Sequence, residues 1–181
     1  MIKVAVLLAV AAAVVSSSSA ASRVAADPLV GTWDTAPMPL SKIRAAEAAH
    51  GYTAAQITKM FQNLKVTNHI KKTVQVEMSF YRDNGRPFQI VRFWDPTAGS
   101  RPPDSAFDHG PYAFLPGQRF TTKGTDPPTD KWVTTYRYST AGKQLKLGFV
   151  GFVQPSEPEK NRLAYQKRFI MYAAGPYKKV S

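Results

Sequence analysis

The chain has no cysteine, only three histidines, and half as many acidic as basic residues, 12 Asp and Glu against 24 Lys and Arg. Without cysteine there can be no disulfides and no thiolate metal ligands, so a stable fold must depend on its apolar core alone. No serine lies in a Gly-x-Ser-x-Gly elbow, and the glycines of segment 148–152 (GFVGF) lack the lysine of a phosphate-binding loop. The sequence therefore gives no support for a hydrolase or a nucleotide-dependent enzyme.

The histidines do not form a metal-binding pattern. His50, His69 and His109 have no partner at the spacing that brings two ligands together on a helix or a strand. We therefore expect neither a metal nor another cofactor. Asp104, Asp108 and His109 are close in sequence and could supply a base and its orienting carboxylate, although an ordinary solvated loop is the simpler interpretation.

Residues 1–26 have the pattern of a secretory signal peptide. A lysine precedes 12 apolar residues at 4–15, and small Ser and Ala residues follow. The apolar run is too short for a membrane-spanning helix, which needs about 20 residues. Cleavage could follow any of three alanines: Ala20, Ala21 or Ala26. We expect a secreted protein whose single folded domain is 27–181.

The folded domain is strongly cationic. Removing Lys3 and Arg23 with the signal peptide lowers the formal charge from +12 to +10. Such a protein is attracted to anionic partners, which include envelope polymers, membrane headgroups and acidic ligands. Nucleic acid is a less expected partner for an exported protein. The excess charge could also serve solubility alone.

The first part of the domain predicts one strand and two helices. Residues 29–35 form a short strand with Trp33. Helical spacing of apolar residues follows over 41–49, where Ser41 is a candidate cap. Thr53 caps a second helix whose apolar stripe has i, i+3, i+4 and i+7 spacing and consists of Ile57, Met60, Phe61 and Leu64.

The remainder alternates with the period of β-strands. Segments 73–82 and 87–94 flank the Asn84-Gly85 pair, a strong hairpin signal, and 95–111 is predicted to be a loop. Further strands are predicted at 112–115, 118–123, 131–140, 144–153 and 162–173. About eight strands in meander order predict a mainly β fold, a single antiparallel barrel with the helix pair across one mouth. A β-sandwich stays open as the alternative.

Gly31-Thr32-Trp33 resembles the G-x-W signature of the calycins, the group that contains lipocalins and fatty-acid-binding proteins. The order of strand, two helices and meander is most similar to the fatty-acid-binding branch. In lipocalins the tryptophan closes one end of the barrel under a basic residue near the last strand. The resemblance thus implies structural roles for Trp33 and Gly31, with Lys167 or Arg168 as the basic partner.

Two further likenesses concern the last predicted strand and the domain as a whole. Fatty-acid-binding proteins hold a ligand carboxylate with an R-x-Y motif, but here Arg168 and Tyr172 are four residues apart, which departs from that pattern. Residues 29–173 also resemble exported proteins of high-GC Gram-positive bacteria that share a GTW opening, an IRAAEAAHGYTAAQITKMF-like helical segment and an NRLAYQKRFIMY-like end. That likeness implies no activity.

Aromatic and basic residues on the strands are the candidate ligand contacts. Trp132, Tyr136 and Tyr138 share one face of a predicted strand, and Arg137 lies on the other. A cation that pointed inward would need a partner, which an anionic ligand could supply. The complete set of candidates is Arg92, Trp132, Tyr136, Arg137, Tyr138 and Arg168.

These observations leave two main function hypotheses. The first is a secreted carrier that holds a small hydrophobic or amphipathic anion inside its barrel. The second is a non-enzymatic protein whose cationic surface binds anionic envelope polymers, membrane or a protein partner. An enzyme that works by pocket shape is a third alternative without a catalytic residue to name.

Overall fold

The computed structural model describes residues 26–99, 108–124, 132–153 and 159–181, and the predicted signal peptide lies almost wholly outside these ranges. Nine strands and three helices occur in the described ranges. In chain order they are β1 (Gly31–Thr35), β2 (Met38–Pro39), α1 (Leu40–Ala49), α2 (Ala54–Thr67), β3 (Thr73–Asp83), β4 (Arg86–Trp94), β5 (Asp108–Leu115), β6 (Arg119–Gly124), β7 (Trp132–Ala141), β8 (Gln144–Val153), α3 (Glu159–Ala173) and β9 (Tyr177–Lys179).

Eight antiparallel strands close into a barrel. Strands β3 to β8 pair in chain order, β9 pairs with β8, and β1 lies between β9 and β3. Trp33 of β1 is opposite Met78 on one side and Lys179 on the other, so β1 completes the ring. The short β2 pairs with the first two residues of β3, on the same edge of β3 as β1. Closure pairs the edges that an open sheet would leave exposed, confirms the predicted barrel and rules out the sandwich.

The first hairpin, β3 and β4, has the strands and the turn that the alternating apolar pattern predicts. Four alternate residues of β3 are buried as predicted: Val74, Val76, Met78 and Phe80. The turn to β4 uses Asn84 and Gly85, both with positive φ (47° and 78°), as a two-residue type I′ turn requires. Local sequence and tertiary packing agree in this hairpin.

The two predicted helices are present, with one correction at a cap. Thr53 and Gln56 form a reciprocal capping box at α2, in which each backbone N–H donates to the other side chain, at 2.9 and 3.3 Å. Ser41 does not cap α1, because the helix already begins at Leu40 and its N-cap is Pro39. The backbone N–H of Leu40 donates to the Lys72 carbonyl, so the β2–β3 pairing sets this helix start.

The prediction of a strand at 162–173 is wrong, because this segment belongs to α3. Four consecutive residues of the helix are at most 1% exposed: Phe169, Ile170, Met171 and Tyr172. A helix buried on all sides shows no polar stripe, so its periodicity is hidden in the sequence. The last barrel strand is instead the three-residue β9.

The barrel has two distinct ends. The β3–β4, β5–β6 and β7–β8 turns all lie at one, which we call the hairpin end. At the other, the helical end, β1 leads into α1 and α2, whose Ile43, Ile57 and Phe61 join the same core as the strands. This arrangement agrees with the predicted placement of the helix pair.

None of the helices in the described ranges is both long enough and apolar enough to cross a membrane.

Candidate functional site

A group of polar side chains, buried except for the partly exposed Arg168, lies inside the barrel toward its helical end. We call Asp108, Tyr136, Arg168, Tyr172 and Tyr177 the interior cluster. The Asp108 carboxylate, 4% exposed at the start of β5, lies 3.1 Å from Nη2 of Arg168. The Tyr172 hydroxyl donates to the other Asp108 oxygen. Asp108 of β5 and Arg168 of α3, 60 residues apart in sequence, thus form a charged pair in the barrel interior.

The tyrosines of the interior cluster remain protonated donors. Burial raises the pKa of Tyr136, Tyr172 and Tyr177 well above the ordinary value, and the nearby Asp108 charge raises it further for the first two, while Arg168 opposes this. Tyr136 donates to the Phe169 carbonyl at 3.4 Å, and Tyr177 donates to the Tyr172 carbonyl. These phenols can donate hydrogen bonds but cannot act as bases near neutral pH.

Aromatic rings surround this cluster. Phe169 lies 4.7 Å from Trp132 and 5.0 Å from Phe152, measured between ring centroids, and Tyr136 stacks on Phe120 at 5.4 Å. Between Trp132 and Tyr136 on the inner face of β7, the fully buried Thr134 hydroxyl has no hydrogen-bond partner among the described residues. An unpaired buried hydroxyl is unfavourable, so it marks a position where a further polar group would be stabilising.

The structure brings only part of the candidate set together. Trp132, Tyr136 and Arg168 belong to the interior cluster or its aromatic wall, and Tyr138 lies half-buried near the hairpin end beside Phe114 and Phe120.

The other two candidate arginines are on the outer surface of the barrel. Arg92 donates to Glu77 at 2.9 Å, and both residues alternate with inward-facing neighbours on β4 and β3. Arg137 is exposed on β7. Arg168 is therefore the candidate arginine that reaches the interior, and its position could not be read from a strand pattern because it lies on a helix.

Trp33, in the middle of β1, is 1% exposed and belongs to the barrel core. Its indole N–H donates to the Leu29 carbonyl at 2.7 Å, and the Lys179 ammonium lies 5.3 Å from the ring centroid, within cation–π range. The basic partner is therefore Lys179, not Lys167 or Arg168. The implied assignment failed because those two residues belong to α3 at the helical end.

A glycine is required at position 31 because the C-terminal residues approach its backbone closely. It has a φ of 129°, a left-handed conformation that other residues rarely adopt. A Cβ atom here would collide with the Lys179 side chain and the carbonyl oxygen of Ser181. The position permits β9 and the C-terminus to pack against β1.

A second buried polar group lies where α1, α2 and α3 meet, and sequence reasoning missed it. Glu47 is completely buried, and neither carboxyl oxygen has a hydrogen-bond partner among the described residues. Burial raises its pKa to about 8, partly offset by the Lys167 charge. The residue is four positions after the buried Ile43, so its i+4 spacing on the apolar face of α1 was the signal available.

Lys167 belongs to this helix junction. Its ammonium donates to the Gln56 carbonyl of α2 at 3.0 Å and lies 5.2 Å from the Tyr52 ring centroid. Burial lowers the pKa of Lys167, and Glu47 opposes that shift. The Tyr52 hydroxyl has no hydrogen-bond partner within the ranges that the structure describes, and burial together with Glu47 raises its pKa to about 12. The junction thus holds a carboxyl group, a phenol and an amine that are all poorly solvated.

Asp108 and His109 do not form the pair of base and orienting carboxylate that their closeness in sequence allowed. Because the two are adjacent on β5, their side chains lie on opposite faces: Asp108 contacts Tyr172 inside, and the half-buried His109 lies beside Phe88. Asp104 lies outside the described residues. Within the ranges that the structure describes, no three His, Asp or Glu side chains are grouped as metal ligands would be.

No protein-family model and no curated protein matches the chain. Among solved structures, the chain is similar to the crystal structure of secretory abundant heat soluble protein 4 from Ramazzottius varieornatus. The match has 12% sequence identity, covers 85% of this chain and 96% of that chain, and has a TM-score of 0.35.

Proposed function

We propose that this chain is an exported binding protein that holds a small amphipathic anion inside its barrel after residues 1–26 are removed. The observation that carries the proposal is Arg168, a cation that reaches the aromatic interior while its side chain remains 26% exposed. The closed barrel with two helices after its first strand is also consistent with the calycin resemblance.

The chemistry of the interior cluster supports an anionic headgroup. A guanidinium has five N–H donors in a planar fork, so Arg168 can hold Asp108 and a second acceptor at once. The Asp108 charge is in turn stabilised by the Tyr172 hydroxyl, which limits its repulsion of an incoming anion. The rings of Trp132 and Phe152 supply apolar contacts of the kind that a hydrocarbon chain needs.

The test compares two arginines that differ in position. Dodecanoate and dodecanol are titrated calorimetrically into the mature protein, the Arg168→Met variant and the Arg137→Met variant. We expect Arg168→Met to weaken dodecanoate binding by about 10- to 100-fold, as the loss of a charge-assisted hydrogen bond does, and dodecanol binding by less than about 3-fold. Arg137→Met is the matched control, because Arg137 is exposed on the outer face. Equal losses for both ligands, or an equal effect of both variants, would contradict the proposal.

A second pair of variants separates binding from folding. Arg168→Met leaves the buried Asp108 charge without its cation, which can destabilise the fold. Asp108→Asn combined with Arg168→Met removes both charges, and Arg168→Lys keeps the positive one. We expect the double variant to fold and to have lost its preference for dodecanoate, whereas Arg168→Lys retains part of that preference.

The surface of the barrel favours a second function, the binding of an anionic surface. Strands β6 to β9 and the turn between β7 and β8 have no acidic residue. Their basic residues are Arg119, Lys123, Arg137, Lys143, Lys146, Lys178 and Lys179. Arg119 and Arg137 are even directly opposite each other, a like-charge pairing that disfavours folding. An anionic partner would relieve that repulsion. This function is tested by retention of the protein on immobilised polyphosphate. We expect high salt to abolish the retention and the variant Arg119→Gln with Arg137→Gln to weaken it.

A further inference from the structure

Exposed apolar side chains are concentrated at the hairpin end. In the part of the chain that the structure describes, six large apolar residues are exposed, and four of them lie at this end: Val30 (38%), Phe114 (40%), Leu115 (38%) and Val180 (57%). The other two, Val150 and Val153, lie farther along β8. Scattered single residues of this kind need no explanation, but four around one mouth of a barrel form a common rim. We call these four residues the apolar rim.

Phe114 and Leu115 are the last two residues of β5 and lie beside the tip of the β5–β6 hairpin. The turn that follows has two residues with positive φ, Gly117 and Gln118, and the Arg119 side chain donates to the Pro116 carbonyl at 3.0 Å across it. The Phe114 ring packs against Tyr112 and Tyr138, with centroids 5.8 Å apart in both cases. The tip thus presents both apolar side chains to solvent, and ring contacts hold Phe114 in that position.

Basic residues surround the apolar rim. Six of them lie in or beside the hairpin turns and in the C-terminal strand: Arg82, Arg86, Arg119, Lys143, Lys178 and Lys179. Two acidic residues occur in the same region, and one of these, Asp27, is already paired with Arg82 at 3.7 Å and with the Tyr112 hydroxyl. The hairpin end therefore combines exposed hydrocarbon with a net positive charge.

We propose that the hairpin end docks on a lipid bilayer with anionic headgroups. This inference rests on the second proposed function, the binding of an anionic surface, and names its partner and contact residues. A soluble polyanion would need only the cations, whereas a bilayer also accommodates the apolar rim at the boundary of headgroups and acyl chains. Docking at this end leaves the helical end, with α1 and α2, directed away from the bilayer.

The experiment measures partitioning of the mature protein onto phosphatidylcholine vesicles with and without 30 mol% phosphatidylglycerol, by co-sedimentation at about 0.05 and 0.5 M salt. Phe114→Ser with Leu115→Ser tests the apolar rim, and Val153→Ser is its matched control, because Val153 is more exposed (58%) but lies at the opposite end of β8. Arg119→Gln with Lys143→Gln tests the cations. Its control, Lys71→Gln with Lys72→Gln, changes two exposed lysines just before β3 at the helical end.

We expect the protein to bind the anionic vesicles at low salt and to leave the neutral ones in solution. The rim variant should lose about 10-fold or more in partitioning, since it removes two apolar side chains from the contact. The cation variant should lose about 20-fold, and both controls should stay within about 2-fold of the parent.

Three results would overturn the inference, and they differ in what they leave intact. Salt-sensitive retention on immobilised polyphosphate without vesicle binding, or vesicle binding that is equal in the rim variant and the Val153→Ser control, would reject bilayer docking and leave surface binding of an anionic polymer intact. Failure to bind either polyphosphate or anionic vesicles would reject both proposals. Far-ultraviolet circular dichroism of each variant verifies that the barrel is folded.

Discussion

Replacement of the buried carboxyl group in Glu47→Gln should change how stability depends on pH. Glu47 is completely buried without a hydrogen-bond partner among the described residues, and burial raises its pKa from 4.5 to about 8. A raised pKa means that the folded protein holds this proton more tightly than the unfolded chain. Between pH 4.5 and 8 the folded state therefore binds more protons, and stability falls as the pH rises through this window.

The size of the effect follows from the shift. One pKa unit corresponds to about 1.4 kcal/mol, so the complete shift sets an upper bound of roughly 5 kcal/mol. The shift to about 8 already includes the opposing Lys167 charge, and structural relaxation and water penetration around an ionised buried group reduce the penalty further, so we expect a loss on the order of 3 kcal/mol between pH 5 and pH 9. Gln cannot ionise and keeps nearly the same shape, so Glu47→Gln should match the parent near pH 5 and exceed its stability by about that amount at pH 9.

Urea unfolding of both proteins at pH 5, 7 and 9 measures this difference. Asp83→Asn is the control for removal of one negative charge, because Asp83 is exposed at the end of β3. It should leave the pH dependence nearly unchanged. If the free energies of unfolding of Glu47→Gln and the parent run parallel from pH 5 to 9, Glu47 is not a desolvated acid and the reasoning is refuted.

Two further substitutions test how the barrel is held together. Trp33→Ala should lower the free energy of unfolding by about 3 to 5 kcal/mol, as truncation of a large buried aromatic does. A loss below about 1 kcal/mol in urea unfolding would mean that Trp33 does not stabilise the barrel core. Asp95→Asn should cost roughly 1 to 3 kcal/mol at pH 7, because the carboxylate accepts hydrogen bonds from the backbone N–H groups of Lys71 and Lys72, both at 2.7 Å. Burial alone would raise the pKa of Asp95, but these hydrogen bonds and those from Thr97 outweigh burial and lower the pKa. The stability cost of Asp95→Asn should therefore shrink below about pH 4, where the unfolded carboxylate becomes protonated. A cost that stays constant down to pH 2 would contradict the role of the Asp95 carboxylate as a hydrogen-bond acceptor.

The features that the sequence predicted are those coded by local patterns. The period-two alternation of β3, the Asn84-Gly85 turn and the Thr53 capping box each depend on neighbouring residues. The sequence did not predict helix α3, because residues 169–172 are all apolar and fit the period of a strand as well as that of a helix. With α3 read as a strand, Arg168 could not be placed opposite Asp108.

Long-range pairing accounts for the other errors. Lys179 reaches Trp33 because β9 pairs with β1, a contact between residues 146 positions apart that no local pattern encodes. The inner or outer position of each arginine also depended on knowing which strand it lies on. Glu47 differs, since its spacing from Ile43 was visible and only the unusual burial of a carboxyl group was not anticipated.

Native mass spectrometry of the full chain, expressed and recovered from the culture medium, tests the central claim most directly, because it reports export, cleavage and a bound ligand together. The account predicts a chain that has lost about 20 to 26 N-terminal residues and carries one equivalent of an acidic amphiphile, or takes up one equivalent of dodecanoate. A chain that stays inside the producing cells with those residues attached, or a secreted chain that remains bare in excess dodecanoate, would contradict it.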